Sequence, residues 1–190
     1  IGDGVSSYEA GEVWHLLDTR IHMPITKLQM RSFRGVSLDK YTTLVMVSGS
    51  YFQLDSIQQK KLKDWVGKGN TLITIARASQ WAVSRKIVNE KLTKKPKDKS
   101  KEKKEVKRLP YVDAGEHIGR ERLGGAIFEV DLDITHPLGF GYHSSSLPVY
   151  KNNTVFLQPS TNPYSTVAKY TKNPHIDGYI SPTNLETYLK

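Results

Sequence analysis

The chain has 190 residues and no cysteine, and its 28 lysine and arginine residues against 19 aspartate and glutamate residues give a net charge of +9. Without cysteine the sequence contains no disulfide, no thiolate metal ligand and no cysteine nucleophile. No apolar run approaches the roughly 20 residues of a membrane-spanning helix, and the length suits one domain with its own core.

The first part of the chain alternates helical and strand-like patterns. Short, unalternating apolar runs are typical of strands buried on both faces of a parallel sheet, and each of the two runs here is followed by a segment with helical periodicity. Strand, helix, strand, helix is the signature of βαβ units. The predicted elements are a helix over Ser7–Arg20, an extended stretch Ile25–Leu28, a strand Thr43–Val47, a helix Asp55–Val66, a strand Thr71–Ala76 and a helix Ser79–Leu92.

A lysine-rich stretch follows. Lys91–Arg108 carries ten basic and three acidic residues, and the other 172 residues have a net charge of only +2. Residues 93–108 contain no aromatic side chain, which predicts a flexible, solvated insertion. The alternative is a polyanion-binding module in Lys91–Arg108, although single-stranded nucleic-acid sites interleave aromatics with charge, which argues against nucleic acid as the partner. In that alternative the binding residues are Lys94, Lys95, Lys97, Lys99, Lys101, Lys103 and Lys104.

The remainder of the chain is rich in strand patterns. Gly124–Asp131 alternates into a strand, and Asn, Pro and Ser clusters separate further extended pieces. Ser181 and Pro182 predict the start of a terminal helix over Pro182–Leu189. The fold class is therefore α/β, with an open, doubly wound, mainly parallel sheet and a β-rich C-terminal part in one domain over residues 1–190. The further extended pieces are Leu147–Tyr150, Thr154–Leu157 and Val167–Tyr170.

Two segments at the predicted strand ends resemble class I glutamine amidotransferases, whose sheet is flavodoxin-like. Val45–Ser50 resembles their strand and oxyanion loop, and Leu72–Gln80 resembles their nucleophile turn, G-I-C-x-G-x-Q. On that pattern the cysteine position falls on Ala76, and His136-Pro137-Leu138 lacks the carboxylate of the late His-x-Glu pair. The resemblance therefore implies a pseudo-enzyme with no glutaminase activity, because a methyl group offers no nucleophile.

A second resemblance covers nearly the whole chain. Four phrases, at Ser7–Asp18, Trp65–Ile73, Asp133–Tyr142 and Gly178–Ser181, resemble the amidotransferase-like C-terminal domain of large bacterial zinc carboxypeptidases of the carboxypeptidase A type. The resemblance implies a non-catalytic accessory domain in a fragment of a larger secreted or periplasmic protein involved in proteolysis. Its partner is then the peptidase domain of the same polypeptide, and the zinc cofactor belongs to that hydrolase domain, with none in this chain.

Ligands of open α/β sheets bind beyond the carboxyl ends of the strands, and several candidate residues fall there. Two alternatives stay open: a solvated helix face for Glu9, Glu12 and His15, and a turn histidine bonded to backbone for His136. A rival hypothesis is a hydrolase-like enzyme that uses His136 with Glu9 or Glu12. No metal site is predicted. The candidate vestigial pocket comprises Glu9, Glu12, His15, Ser50, Ala76 and His136.

Overall fold

The computed structural model describes residues 1–93, 108–120 and 122–189, and of Glu116 the backbone only. The chain divides into two compact units, residues 1–89 and 90–190. The first contains a two-stranded parallel sheet and the second a three-stranded antiparallel sheet. The α/β class and the β-rich C-terminal part are therefore confirmed. The seven lysines of the polyanion-binding interpretation, and most of the predicted 93–108 insertion, lie outside the described residues.

The first unit opens with the predicted helix. Helix α1 spans Ser7–Trp14 and continues as a π-helical segment, His15–Arg20. The Ser6 side chain caps it by accepting the N–H of Glu9 at 3.3 Å, as expected for a serine at this position. The predicted extended stretch Ile25–Leu28 belongs to no strand; short 3₁₀ turns follow it at Met30–Gly35 and Leu38–Lys40.

The predicted βαβ unit is confirmed. Strand β1 (Thr43–Met46) pairs in parallel with β2 (Thr71–Thr74), and helix α2 (Ser56–Gly67) connects them. A capping box between Asp55 and Gln58 starts α2, which satisfies two otherwise free backbone donors.

The hydrophobic core of the first unit covers only part of this sheet. Leu62 and Trp65 of α2 are fully buried, and the Trp65 indole N–H donates to the Leu38 carbonyl at 2.9 Å. On β2 and just beyond it, however, Ile73 and Ile75 remain 45% and 36% exposed. The expectation that both strands are buried on both faces is therefore wrong for β2, because the packed helices leave these side chains uncovered.

Helix α3 spans Arg77–Ser84 and is shorter than the predicted Ser79–Leu92. Lys86 adopts a φ of +53°, and the N–H of Ile87 bonds to the Ala82 carbonyl while that of Lys86 bonds to the Val83 carbonyl. These two bonds form a Schellman motif, which ends a helix with a left-handed residue. The sequence has lysine there rather than glycine, so it contains no signal for this end.

The second unit is built around the central strand β3. Helix α4 (Ala114–Arg120) precedes β3 (Ala126–Leu132), which pairs antiparallel with β4 (Ser146–Lys151) and β5 (Ala168–Gly178). Alternate β3 residues are buried, as expected for a sheet with one covered face. Helix α5, Pro182–Leu189, follows with Ser181 accepting the N–H of Asn184, so the predicted terminal helix is confirmed.

Two predicted strand boundaries in the second unit are wrong. Strand β5 runs on for eight residues beyond Tyr170, through Asn173-Pro174, because register shifts against β3 accommodate the proline. Conversely, Thr154–Leu157 forms no strand, and only Leu157 makes an isolated bridge, to Leu92.

Candidate functional site at the ends of the parallel strands

The carboxyl ends of β1 and β2 lie side by side. Met46 is in register with Thr74, and the N–H of Ile75 donates to the Met46 carbonyl at 2.9 Å. The segments that leave the two strands, 47–51 and 75–77, therefore begin next to each other. This is the edge at which open α/β sheets bind ligands.

Ala76 forms a sharp turn between β2 and α3. It is the N-cap residue of α3, with a φ of +50° and a ψ of −114°. A non-glycine residue in this region stores roughly 1–3 kcal/mol of strain, and such residues cluster at functional sites. Nucleophile turns between a strand and a helix have this strained character, but Ala76 carries only a methyl group.

Hydrogen bonds across the turn hold this backbone in place. The Ser79 hydroxyl donates to the Thr74 carbonyl at 3.0 Å and lies 3.0 Å from the Thr74 hydroxyl. The N–H of Ala78 donates to the Ile75 carbonyl, and that of Ser79 to the Ala76 carbonyl. The side chain after the turn thus ties α3 to the end of β2.

Glu9 of α1 reaches the end of β1. Its Oε2 accepts the backbone N–H of Ser48 at 2.8 Å, and the side chain is half-buried. A carboxylate that accepts a backbone N–H makes a charge-assisted hydrogen bond, which is stronger than a neutral one. In this arrangement the Ser48 N–H has a partner within the protein and is not free to stabilise an oxyanion.

Tyr51 is the buried phenol beside this carboxylate. Its hydroxyl donates to the Val47 carbonyl at 2.6 Å, and its ring lies 5.6 Å from that of Trp81. Burial, and secondarily the negative charge of Glu9, raise the pKa of Tyr51 above its ordinary value of 10.0. The phenol is the donor of the bond to the Val47 carbonyl, and the raised pKa moves its deprotonation to more alkaline pH.

Gly49 lets two loops approach closely. A Cβ atom at Gly49 would lie 2.7 Å from the Gly4 carbonyl oxygen and 2.9 Å from Cε2 of Tyr51. Across this contact the N–H of Ser6 donates to the Ser48 carbonyl, and that of Ser50 donates to the Gly4 carbonyl, both at 2.8 Å. The loop before α1 is thus fixed against the end of β1.

Three further predicted pocket residues, Glu12, His15 and Ser50, also belong to the first unit. Glu12 and His15 are exposed, and His15 begins the π-helical segment that follows α1. Ser50 is exposed, with its hydroxyl 3.4 Å from the Gly4 carbonyl. Among the predicted residues of this unit, the structure brings Glu9 to the end of β1 and Ala76 to the end of β2.

His136 belongs to the second unit. Its Nδ1 accepts the N–H of Leu138 at 3.1 Å, so the proton of the neutral ring is on Nε2. Asp133 precedes it and accepts both the N–H and the hydroxyl of Thr135, and these bonds lower the pKa of the Asp133 carboxyl. The structure therefore shows His136 as a turn histidine bonded to backbone.

Within residues 1–93, 108–120 and 122–189, no group of three or more His, Asp or Glu side chains is arranged to hold a metal ion. Over the same ranges, no helix is long and apolar enough to cross a membrane.

Three residues that hold the strand ends in place were not singled out by sequence reasoning. Tyr51, Thr74 and Ser79 support the strand ends through the contacts given above. The nucleophile-turn pattern placed Ala76 but contains no information on which neighbours hold it. Trp81 also lies here, with a buried indole N–H that has no partner among the described residues.

Comparison with known proteins gives no match, since no family model, no curated protein and no solved structure is similar to this chain.

Proposed function

We propose that this chain is a non-catalytic accessory domain with an amidotransferase-like, flavodoxin-like sheet, belonging to a secreted bacterial zinc carboxypeptidase. The observation that carries the proposal is Ala76, a strained strand-to-helix turn with a methyl side chain. A strained backbone persists only where its surroundings impose it, and here Thr74 and Ser79 do so.

The contacts of Glu9 support the same proposal. An active amide hydrolase needs free donors for the oxyanion of its tetrahedral intermediate. In the first unit the Ser48 N–H at the corresponding loop already donates to Glu9. The strand ends thus lack both a nucleophile at position 76 and this free donor, which suits a domain that supports or positions a peptidase domain in the same polypeptide.

A turnover assay on the purified chain tests this function. We expect no release of ammonia from glutamine and no release of C-terminal residues from peptides, with or without added zinc. Ala76→Gly serves as the matched variant, because it keeps the turn and cannot introduce a nucleophile. Hydrolysis at enzyme-like rates that survives purification to constant specific activity would contradict the proposal.

A further inference from the structure

One end of the antiparallel sheet in the second unit carries two loops with exposed aromatic and apolar side chains. Residues 133–145 connect β3 to β4, and residues 158–167 lead into β5. The N–H of Asp133, in the first loop, donates to the Val167 carbonyl, in the second, at 2.8 Å. The bases of the two loops are therefore joined side by side at this end of the sheet.

Each loop contains a proline turn of the same construction. In the first, the His136 carbonyl accepts the N–H three residues on at 2.8 Å, and the His136 ring accepts the N–H of Leu138. In the second, the Asn162 carbonyl accepts the N–H three residues on at 3.1 Å, and the Asn162 side chain accepts the N–H of Tyr164. Proline is the second residue of both turns, a position for which its fixed φ is suited. The backbone at Leu138 and Tyr164 is thus held by the same set of bonds.

These turns expose large side chains although their backbones are fixed. Leu138 and Tyr164 are 76% and 83% exposed, and Phe140, just after the first turn, is 92% exposed. Gly139 is buried, and a Cβ atom there would lie 2.5 Å from the Asp133 carbonyl oxygen, so the first turn packs closely on the end of β3. Exposed apolar patches on a protein surface mark binding sites, and fixed loops lose little conformational entropy on binding.

The polar groups of the two loops are almost entirely neutral. Residues 134–145 and 158–167 include no aspartate, glutamate, lysine or arginine, and the Asp133 carboxylate accepts the N–H and hydroxyl of Thr135. Serine, threonine, asparagine and tyrosine supply hydroxyl and amide groups instead. Recognition loops commonly combine such residues, because aromatic rings give rigid contact area and small polar groups give hydrogen bonds. The ligand that matches these loops is neutral, with apolar faces and many hydroxyl groups.

A carbohydrate has this chemistry. The faces of a sugar ring present C–H groups, whose partial positive charge suits the negative face of an aromatic ring, and its edge carries hydroxyl groups that donate and accept hydrogen bonds. Membrane surfaces and nucleic acids match the loops less well, because binding to anionic lipids or phosphates relies on lysine and arginine.

We propose that this end of the second unit binds a neutral oligosaccharide. The rings of Phe140, Tyr142 and Tyr164 stack on sugar faces, and the hydroxyl and amide groups of the two loops bond to the sugar hydroxyls. The inference goes beyond the proposed function and does not depend on it, because it uses only the loops of the second unit.

Titration calorimetry of the full 190-residue chain with cellohexaose, chitohexaose and maltohexaose, three neutral oligosaccharides, tests the proposal. We expect at least one to bind with a dissociation constant of about 1 mM or tighter. Its affinity should be the same at about 0.05 and 0.5 M salt, because no ion pair contributes. Tyr164→Ala should weaken binding about tenfold through the loss of one stacked ring, whereas Tyr164→Phe should retain most of the affinity. Tyr111→Ala, at an exposed tyrosine of the second unit outside the two loops, is the matched control.

Circular dichroism confirms that each variant is folded before it is titrated. Binding of none of the three oligosaccharides would overturn the proposal, as would binding that high salt abolishes. Equal losses in Tyr164→Ala and Tyr111→Ala would place the ligand elsewhere, and an equal loss in Tyr164→Phe would exclude stacking. Sedimentation with phosphatidylcholine–phosphatidylglycerol vesicles, in the absence of oligosaccharide binding, would assign the loops to a membrane surface instead.

Discussion

Ala76 combines a strained backbone with a side chain that cannot act as a nucleophile. Its φ of +50° and ψ of −114° lie where glycine is at ease and alanine is strained. The backbone adopts this conformation although the methyl side chain of Ala76 contributes no hydrogen bond. The strain is therefore a property of the strand-to-helix connection rather than of a working nucleophile.

Relief of this strain gives the first prediction. Ala76→Gly should raise the free energy of unfolding by about 1 kcal/mol, because the relieved strain exceeds the entropy that glycine loses on folding. Ala78→Gly is the control, since Ala78 is fully buried within α3 and the change should cost at least about 1 kcal/mol. Urea unfolding measures both, and destabilisation by Ala76→Gly would refute the strain.

Tyr51 gives a prediction about alkaline pH. In the unfolded chain its phenol loses a proton near pH 10, whereas in the folded chain burial and Glu9 raise its pKa. Its contribution to stability is therefore intact below pH 10 and is lost as the pH rises above that value. The expected slope is up to about 1.4 kcal/mol per pH unit.

Tyr51→Phe should reduce this alkaline slope. At neutral pH it should also lower the free energy of unfolding by about 1 kcal/mol, because the hydrogen bond to the Val47 carbonyl is lost. Tyr170 and Tyr188, whose pKa values burial also raises, retain part of the slope. Tyr111→Phe, at a 93% exposed position, is the control. Unfolding curves between pH 7 and 11 give the free energy of unfolding of each variant. A pH dependence in Tyr51→Phe equal to that of the unmodified chain would contradict this explanation.

At the scale of elements, helices were predicted correctly where apolar residues recur at the helical period or a capping residue marks the start. The helix over Asp55–Val66 was predicted from its apolar spacing and the helix over Pro182–Leu189 from Ser181 and Pro182. In the structure, Ser6, Asp55 and Ser181 each accept a backbone N–H in the first turn of a helix. The parallel pairing of β1 and β2 followed from their unalternating apolar runs. Ala76 was placed at the strand-to-helix turn by its position in a motif.

The missed features depend on contacts that a single sequence does not encode. The reach of Glu9 to the Ser48 N–H depends on how α1 docks against β1. The length of β5 depends on bulges that accommodate Pro174. Likewise, α3 ends at a left-handed Lys86 that has no glycine to signal it.

The end of α3 carries an element-scale prediction. Lys86→Gly should stabilise the chain by about 1 kcal/mol, because glycine adopts the left-handed position of a Schellman motif without a Cβ penalty. Arg85→Gly, one residue earlier at a φ of −90°, should give no gain. Thermal and urea unfolding measure both variants, and equal effects would contradict the assignment of Lys86 as the left-handed residue.

At the scale of the whole molecule, net charge is a poor guide to function. Residues 94–107 contain eight basic and three acidic residues, so these 14 residues carry more than half of the net charge of +9 and the other 176 residues have a net charge of +4. Replacing these eight with glutamine should lower the salt concentration at which heparin releases the chain, because each lost phosphate-like contact reduces the salt dependence. The control replaces the seven lysines and one of the arginines of residues 1–89 with glutamine, which removes the same number of positive charges, and an equal or larger effect there would locate polyanion binding in the first unit.

We propose that the β2–α3 connection is a nucleophile turn that lacks its nucleophile. The most direct test is the reactivity of Ala76→Cys towards iodoacetamide as a function of pH, compared with Ser84→Cys at the other end of α3. The N-terminus of a helix lowers the pKa of a thiol, so the thiol at position 76 should titrate below its ordinary value of about 8.5 and react faster at neutral pH. A thiol at position 76 that is unreactive, or that titrates no lower than the one at position 84, would contradict the account.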